Sequence, residues 1–253
     1  MISNSRSSAV ALAAMLSAGP LAASAGAADI ASIHPIGFSA DGAVFAFEEY
    51  GVQDGSGFPY ASIFALDLAK DAYLPGTPFR VRLEDDGATI AKARWQVRNQ
   101  AETMIETHEL ANHPGELVAF NPITELDDDP HKIRYRSVAV LPPVGEPSTL
   151  VLDEIPEPPD PGCEGVVERK VSFRLRFTER DGKPVNEVVH DDERIPSSRR
   201  CVNGYRLGGV VAGEAAGGGT VEVALVLVLS AGFEGQDGRW IAIPIKSPAA
   251  DRP

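Results

Sequence analysis

Val221-Glu222-Val223-Ala224-Leu225-Val226-Leu227-Val228-Leu229 is the stretch that decides the fold class. From Val223 to Leu229 it is continuously apolar. An amphipathic edge would alternate, so this segment reads as a central strand buried on both faces. Around it the pattern stays strand-like. Runs at Glu116–Phe120, Lys132–Leu141, Thr149–Leu152, Val166–Arg180, Val185–His190 and Trp240–Ile245 are bounded by turn residues, and Asp181-Gly182-Lys183 is a hairpin turn. Nearer the start, Asp41-Gly42 supplies a turn before Val44–Glu49, whose side chains alternate. The glycine-rich loop Gly51–Pro59 then leads into a further strand over Tyr60–Leu68.

One segment breaks the strand rhythm. Ile90, Ala93, Val97, Ala101, Met104, Ile105 and His108 share one face at helical spacing, with Asp86 placed to cap and Asn112-His113-Pro114-Gly115 to stop. The expected fold is therefore mainly β, with antiparallel sheets (sandwich-like or propeller-fragment-like) and one long amphipathic helix around 88–111. Two proline-rich stretches, Leu141–Pro147 and Ile155–Pro161, read as extended connectors. Residues 28–253 read as a single domain with a weak subdivision near 156–161.

The first 27 residues carry a different message. A short start bearing Arg6, an apolar alanine-rich run from Ala9 to Leu16, a Gly19-Pro20 break and the A-x-A sites Ala23-Ser24-Ala25 and Ala25-Gly26-Ala27 follow the order of a cleaved secretion signal. The apolar run falls short of the ~20 residues of a membrane-spanning helix, so no transmembrane segment is expected in the mature chain. The 23 basic residues face 36 acidic ones, a formal net charge of −13. Such a balance repels nucleic acid overall. In an exported chain the two cysteines, Cys163 and Cys201, are expected to form a structural disulfide. The C-x-x-C spacing of a redox pair is absent.

Three pieces of the early chain, Gly37-Phe38-Ser39-Ala40-Asp41-Gly42, Phe45-Ala46-Phe47 and Ile63-Phe64-Ala65-Leu66-Asp67, together resemble one blade of a TolB-type β-propeller. That signature occurs once, whereas a propeller repeats blades of ~40–45 residues. With the loop Glu49-Tyr50-Gly51-Val52-Gln53-Asp54-Gly55-Ser56-Gly57-Phe58-Pro59-Tyr60 and the late Gly232-Phe233-Glu234-Gly235, most of the chain resembles a domain-of-unknown-function family of predicted secreted bacterial proteins. The resemblance implies export, to the periplasm or beyond, and brings no activity with it.

Catalytic motifs fail on spacing. In His108-Glu109-Leu110-Ala111-Asn112-His113 the second histidine is one residue too late. Five helical steps set the two rings about 140° apart, so they cannot share a metal. Asp127-Asp128-Asp129-Pro130-His131 and His190-Asp191-Asp192-Glu193 lack the alternate-residue spacing of a calcium loop and read as solvated turns. No G-x-S-x-G elbow occurs. No metal and no cofactor is expected.

Two features point to binding. Gln53-Asp54-Gly55, with Tyr60 beyond it, sits on a long glycine-bearing loop and recurs as Gln236-Asp237-Gly238. An Arg-x-Arg pattern falls on three expected strands, as Arg80-Val81-Arg82, Arg134-Tyr135-Arg136 and Arg174-Leu175-Arg176. Residues two apart in a strand share a face, so neighbouring strands of this kind carry either a cationic face suited to carboxylate or phosphate, or cross-strand pairs with acids such as Glu187 and Asp191. The expectation is a non-catalytic extracytoplasmic binding module for an anionic envelope component or an envelope protein, with Gln53, Asp54, Gly55, Tyr60, Asp237, Arg134, Arg136, Arg174 and Arg176 as candidate ligand residues. The rival is a carboxylate-dependent envelope hydrolase using Glu48, Glu49 and Asp54.

Overall fold

The computed structural model describes residues 28–233 and 235–246; the secretion signal expected over residues 1–27 lies outside them. Three antiparallel sheets carry the chain. The first is a meander of β1 (Ser32–Phe38), β2 (Val44–Val52) and β3 (Pro59–Asp67), whose far edge is shared by β4 (Ala72–Tyr73) and β5 (Phe79–Arg82). The central sheet runs in the order β13 (Gln236–Ile245), β12 (Thr220–Ala231), β11 (Val202–Glu214) and β6 (Glu116–Phe120). The third runs β10 (Lys183–Asp191), β9 (Lys170–Arg180), β8 (Ser148–Glu157) and β7 (Lys132–Tyr135). The helix α1 (Ile90–Thr107) covers the outer face of the first sheet. The sheets stack as layers and are not arranged around a propeller axis, and no described helix is long and apolar enough to cross a membrane.

The uninterrupted apolar run of β12 does what its composition demands. Val223, Leu225 and Leu227 pack on Phe45, Phe47 and Phe64 of the first sheet, while Ala224, Val226 and Val228 pack on Leu150, Phe173 and Leu175 of the third. Each fully buried Val, Leu or Phe among them contributes roughly 1.5–3 kcal/mol relative to exposure. Alternation in β2 serves two layers in the same way, with Phe45 and Phe47 facing the central sheet and Val44, Ala46 and Glu48 facing the helix side.

Four expectations need correction. The helix cap is Thr89, whose hydroxyl accepts the Lys92 N–H, and not Asp86; α1 also stops at Thr107, ahead of a single 3-10 turn over Leu110–Asn112. Its buried stripe of Ala93, Val97 and Ala101, with Met104 and Ile105 alongside, is the one the spacing predicts. β8 continues through Pro156 to Glu157, so the second connector begins later than its prolines suggest. β7 is shorter than its apolar run, ending at Tyr135.

β11 escapes the pattern altogether. Gly204, Gly208, Gly209 and Gly213 dilute its strand character, yet two of them are where rings dock: a Cβ on Gly208 would sit 2.3 Å from the Trp240 ring, and one on Gly213 would sit 2.6 Å from that of Phe38. Close approach to bulky neighbours is a reason for glycine inside a strand. The disulfide Cys163–Cys201 forms across a sequence separation of 38 and ties the loop before β9 to the start of β11. Chain-entropy arithmetic gives such a loop about 4 kcal/mol.

Candidate functional site

A cleft of about 610 Å³ opens where the first and third sheets meet around the outer edge of β13, which the segment before β1 bridges at Gly238. Tyr60, Ser62, Arg80 and Arg82 line it from β3 and β5, Tyr73 from β4, Ser198, Arg199 and Arg200 from the turn after β10, and Asp237, Arg239 and Trp240 from β13. The residues two apart in β5, Arg80 and Arg82, pair with Ser62 and Tyr60 in register. Both therefore point to the cleft while Val81 packs under the helix.

The floor is a network of buried polar groups. Asp29, 5% exposed, accepts a hydrogen bond from the Tyr60 hydroxyl at 2.8 Å and an ion pair from Arg239. The Arg239 guanidinium also donates to the Asp29 carbonyl at 2.7 Å and lies 4.9 Å from the Tyr60 ring centroid. Burial raises the Tyr60 hydroxyl above its ordinary range, so it stays a donor. Glu49 accepts the Trp240 backbone N–H at 3.0 Å, which satisfies an outward-facing donor on the edge of β13. Burial pushes the Glu49 carboxyl up to about 6, against that hydrogen bond and the charges of Arg239 and Arg80.

Behind the rim stands a second network. Arg199 pairs with Asp192 at 2.5 Å and donates to the Tyr205 hydroxyl at 3.1 Å, over the Phe173 ring. His190 bridges the sheets, with Nε2 3.0 Å from Asp192 and Nδ1 3.5 Å from Asp71 in the turn after β3. Burial opposes the imidazolium charge, but hydrogen bonds to the two aspartates raise its pKa to about 9. Asp192 is thus no solvated turn residue; its side chain is 3% exposed. Asp191 ends β10 in a pair with Arg174.

The structure brings together one of the two groups of residues singled out above. Gln53, Tyr60 and Asp237 line the cleft. Asp54 stands close enough to raise the Asp237 carboxyl together with burial, and Gly55 abuts the Phe233 ring. The two Gln-Asp-Gly segments therefore lie side by side, the first in a loop and the second opening β13.

The β7 and β9 arginines lie elsewhere and are held by neighbours. Arg134 grips Glu179 through two nitrogens at 2.9 and 3.1 Å, and Arg174 pairs with Asp191. Arg176 pairs with Asp153, and Arg136 donates to the Gly145 carbonyl at 2.9 Å. Glu48 and Glu49, adjacent in a strand, face opposite ways, and Glu48 is clamped by Arg94 and Arg98 of α1. Those two acids do not share a site.

Arg80 and Arg82 reach the cleft from the Arg-x-Arg pattern, whereas Arg199, Arg200 and Arg239 follow no spacing rule. The only local sign was Arg199-Arg200 beside the disulfide cysteine. Among the described residues neither Arg80 nor Arg200 has a carboxylate within salt-bridge distance.

No curated protein and no solved structure matches the chain. A family model described as "Predicted secreted protein (DUF2259)" matches residues 46–246, from β2 through the last residue of the described structure, and so spans most of the cleft. The propeller likeness of residues 37–67 has no counterpart among these findings, and the chain belongs to this family of predicted secreted proteins.

Proposed function

We propose that this protein is a non-catalytic binding module, periplasmic or secreted, and that its β13 cleft takes an anionic component of the envelope. One observation carries the reading. In a chain of formal net charge −13, five arginines converge on a single cleft, against three acids lining it. Two of them, Arg80 and Arg200, are exposed and meet no described carboxylate, so their guanidiniums can form paired hydrogen bonds to carboxylate or phosphate oxygens. Arg239 and Arg199 are already committed to Asp29 and Asp192, which fixes them as rigid walls. Tyr60, Gln53 and Ser62 add hydrogen-bonding groups of either polarity. The sequence-level candidates Arg134, Arg136, Arg174 and Arg176, each held by a neighbour, stand outside this site.

The test is calorimetric titration of residues 28–253 with acidic glycans and phosphate-bearing glycolipid headgroups at low and high salt. Binding is expected to weaken with salt and to be lost in Arg80→Ala/Arg200→Ala while the fold is retained. Binding that survives the double substitution refutes the cleft as the site.

A further inference from the structure

Of the acids lining the cleft, Glu49 is the buried one, and no arginine pairs with it. Glu49 rises from the middle of β2 and is 5% exposed. One of its oxygens is held by the Trp240 N–H, and among the described residues no cation lies within salt-bridge distance of the carboxylate. The charged and titratable groups around it come from every neighbouring element: Arg239 from β13, Asp29 from the segment before β1, Arg80 from β5, Tyr60 from β3 and Tyr73 from β4. Asp237 lies further along β13, in the same cleft.

An anion drawn in by Arg80 would meet this carboxylate in a poorly hydrated corner. Two negative charges there repel, and the group already desolvated is the one that takes a proton. The resulting carboxylic acid gains an O–H that can donate to the incoming oxygen. We propose that the cleft binds an oxyanion, a carboxylate, sulfate or phosphate group, together with one solvent proton that settles on Glu49. The inference rests on the cleft being the binding site and adds what regulates it: capture strengthens as the surroundings acidify. That burial already places the Glu49 carboxyl at about 6 agrees with a proton being taken up near neutral pH.

The probes are sulfate and oxalate, whose charge stays constant between pH 5 and 8. Sulfate stands in for sulfate and phosphate esters, and oxalate for carboxylates, so their relative affinities separate the two sources. If only the protonated form binds, the apparent affinity follows the protonated fraction, which changes about 100-fold from pH 8 to pH 5 for a pKa near 6. His190 keeps its proton over most of that range. Asp237, raised by burial, is controlled by Asp237→Asn, which should leave the steep profile intact.

Glu49→Gln keeps an acceptor for Trp240 and should bind with a flat profile near the wild-type affinity at pH 5. Titration of the wild type in two buffers of different ionisation enthalpy should count one proton taken up per anion at pH 7.5. That count decides the matter even if the Gln variant folds poorly. PH-independent binding without proton uptake overturns the linkage and leaves the cleft reading standing. No binding of either probe at any pH, or binding indifferent to Arg80→Ala/Arg200→Ala, overturns the cleft reading itself.

Discussion

Replacing Arg94 and Arg98 together by alanine should destabilise the protein far more than neutralising the acid they hold. The Glu48 side chain is 0% exposed, beneath α1, and both of its oxygens are engaged: Arg94 spans them at 2.9 Å each, and Arg98 adds a 2.6 Å contact. The arginines themselves are 29% and 46% exposed, one turn apart on the helix. Losing both cations leaves a buried carboxylate without its two guanidinium partners, a situation that costs about 3–5 kcal/mol. Losing only the negative charge, in Glu48→Gln, leaves two guanidiniums that can turn to solvent, and the cost should stay near 1–2 kcal/mol.

Urea unfolding monitored by far-UV circular dichroism reads both. The sign with pH is also fixed. The arginines hold the Glu48 carboxyl below its ordinary range despite burial. Its contribution is therefore present above the unfolded value of 4.5 and is lost as pH falls through the lower folded one. In the double variant burial acts alone and raises that carboxyl, so the deficit should shrink between pH 7 and pH 4. A double variant within 1 kcal/mol of wild type, or one more stable than Glu48→Gln, would refute the argument.

Two further outcomes follow from the packing. His190, raised from 6.5 to about 9, contributes stability that is fully present below pH 6.5 and lost as pH rises through 9, roughly 3 kcal/mol at most; His190→Gln should flatten that decline in unfolding free energy, and an unchanged slope would assign it to other groups. Gly208→Ala should cost about 1–3 kcal/mol, because the new methyl meets the Trp240 ring; with Trp95, which is exposed, replaced by phenylalanine, Trp240 emission should report the displacement directly.

What could be read from the chain was whatever depended on local pattern. β12 announced itself because a strand buried on both faces has no polar side to show, and the α1 stripe did so because Ala93, Val97 and Ala101 repeat at helical intervals. β11 was hidden because its glycines answer to rings brought from elsewhere, Trp240 and Phe38, and not to its own neighbours in sequence. The binding candidates divide on the same principle. Arg-x-Arg marks shared faces correctly, but whether a face is free depends on acids elsewhere in the sheet, and here Asp153 and Asp191 on adjoining strands and Glu179 two strands from Arg134 take up the charge. Arg80, Arg199, Arg200 and Arg239 reach the cleft from three separate regions, a convergence that only topology produces.

The clasp between Asp29 and Arg239 joins residues 210 positions apart. Contacts of such long range form late, because the chain between them must be ordered before they are rewarded. A ribbon emerging amino end first would have the meander, the helix and the third sheet in place while Asp29, Tyr60 and Glu49 still awaited their partners on β13. The cleft is then complete only once β13 has paired with β12. Its completion becomes a built-in report that β13 has docked, because Asp29 and Glu49 stay without their Arg239 and Trp240 partners until that strand arrives.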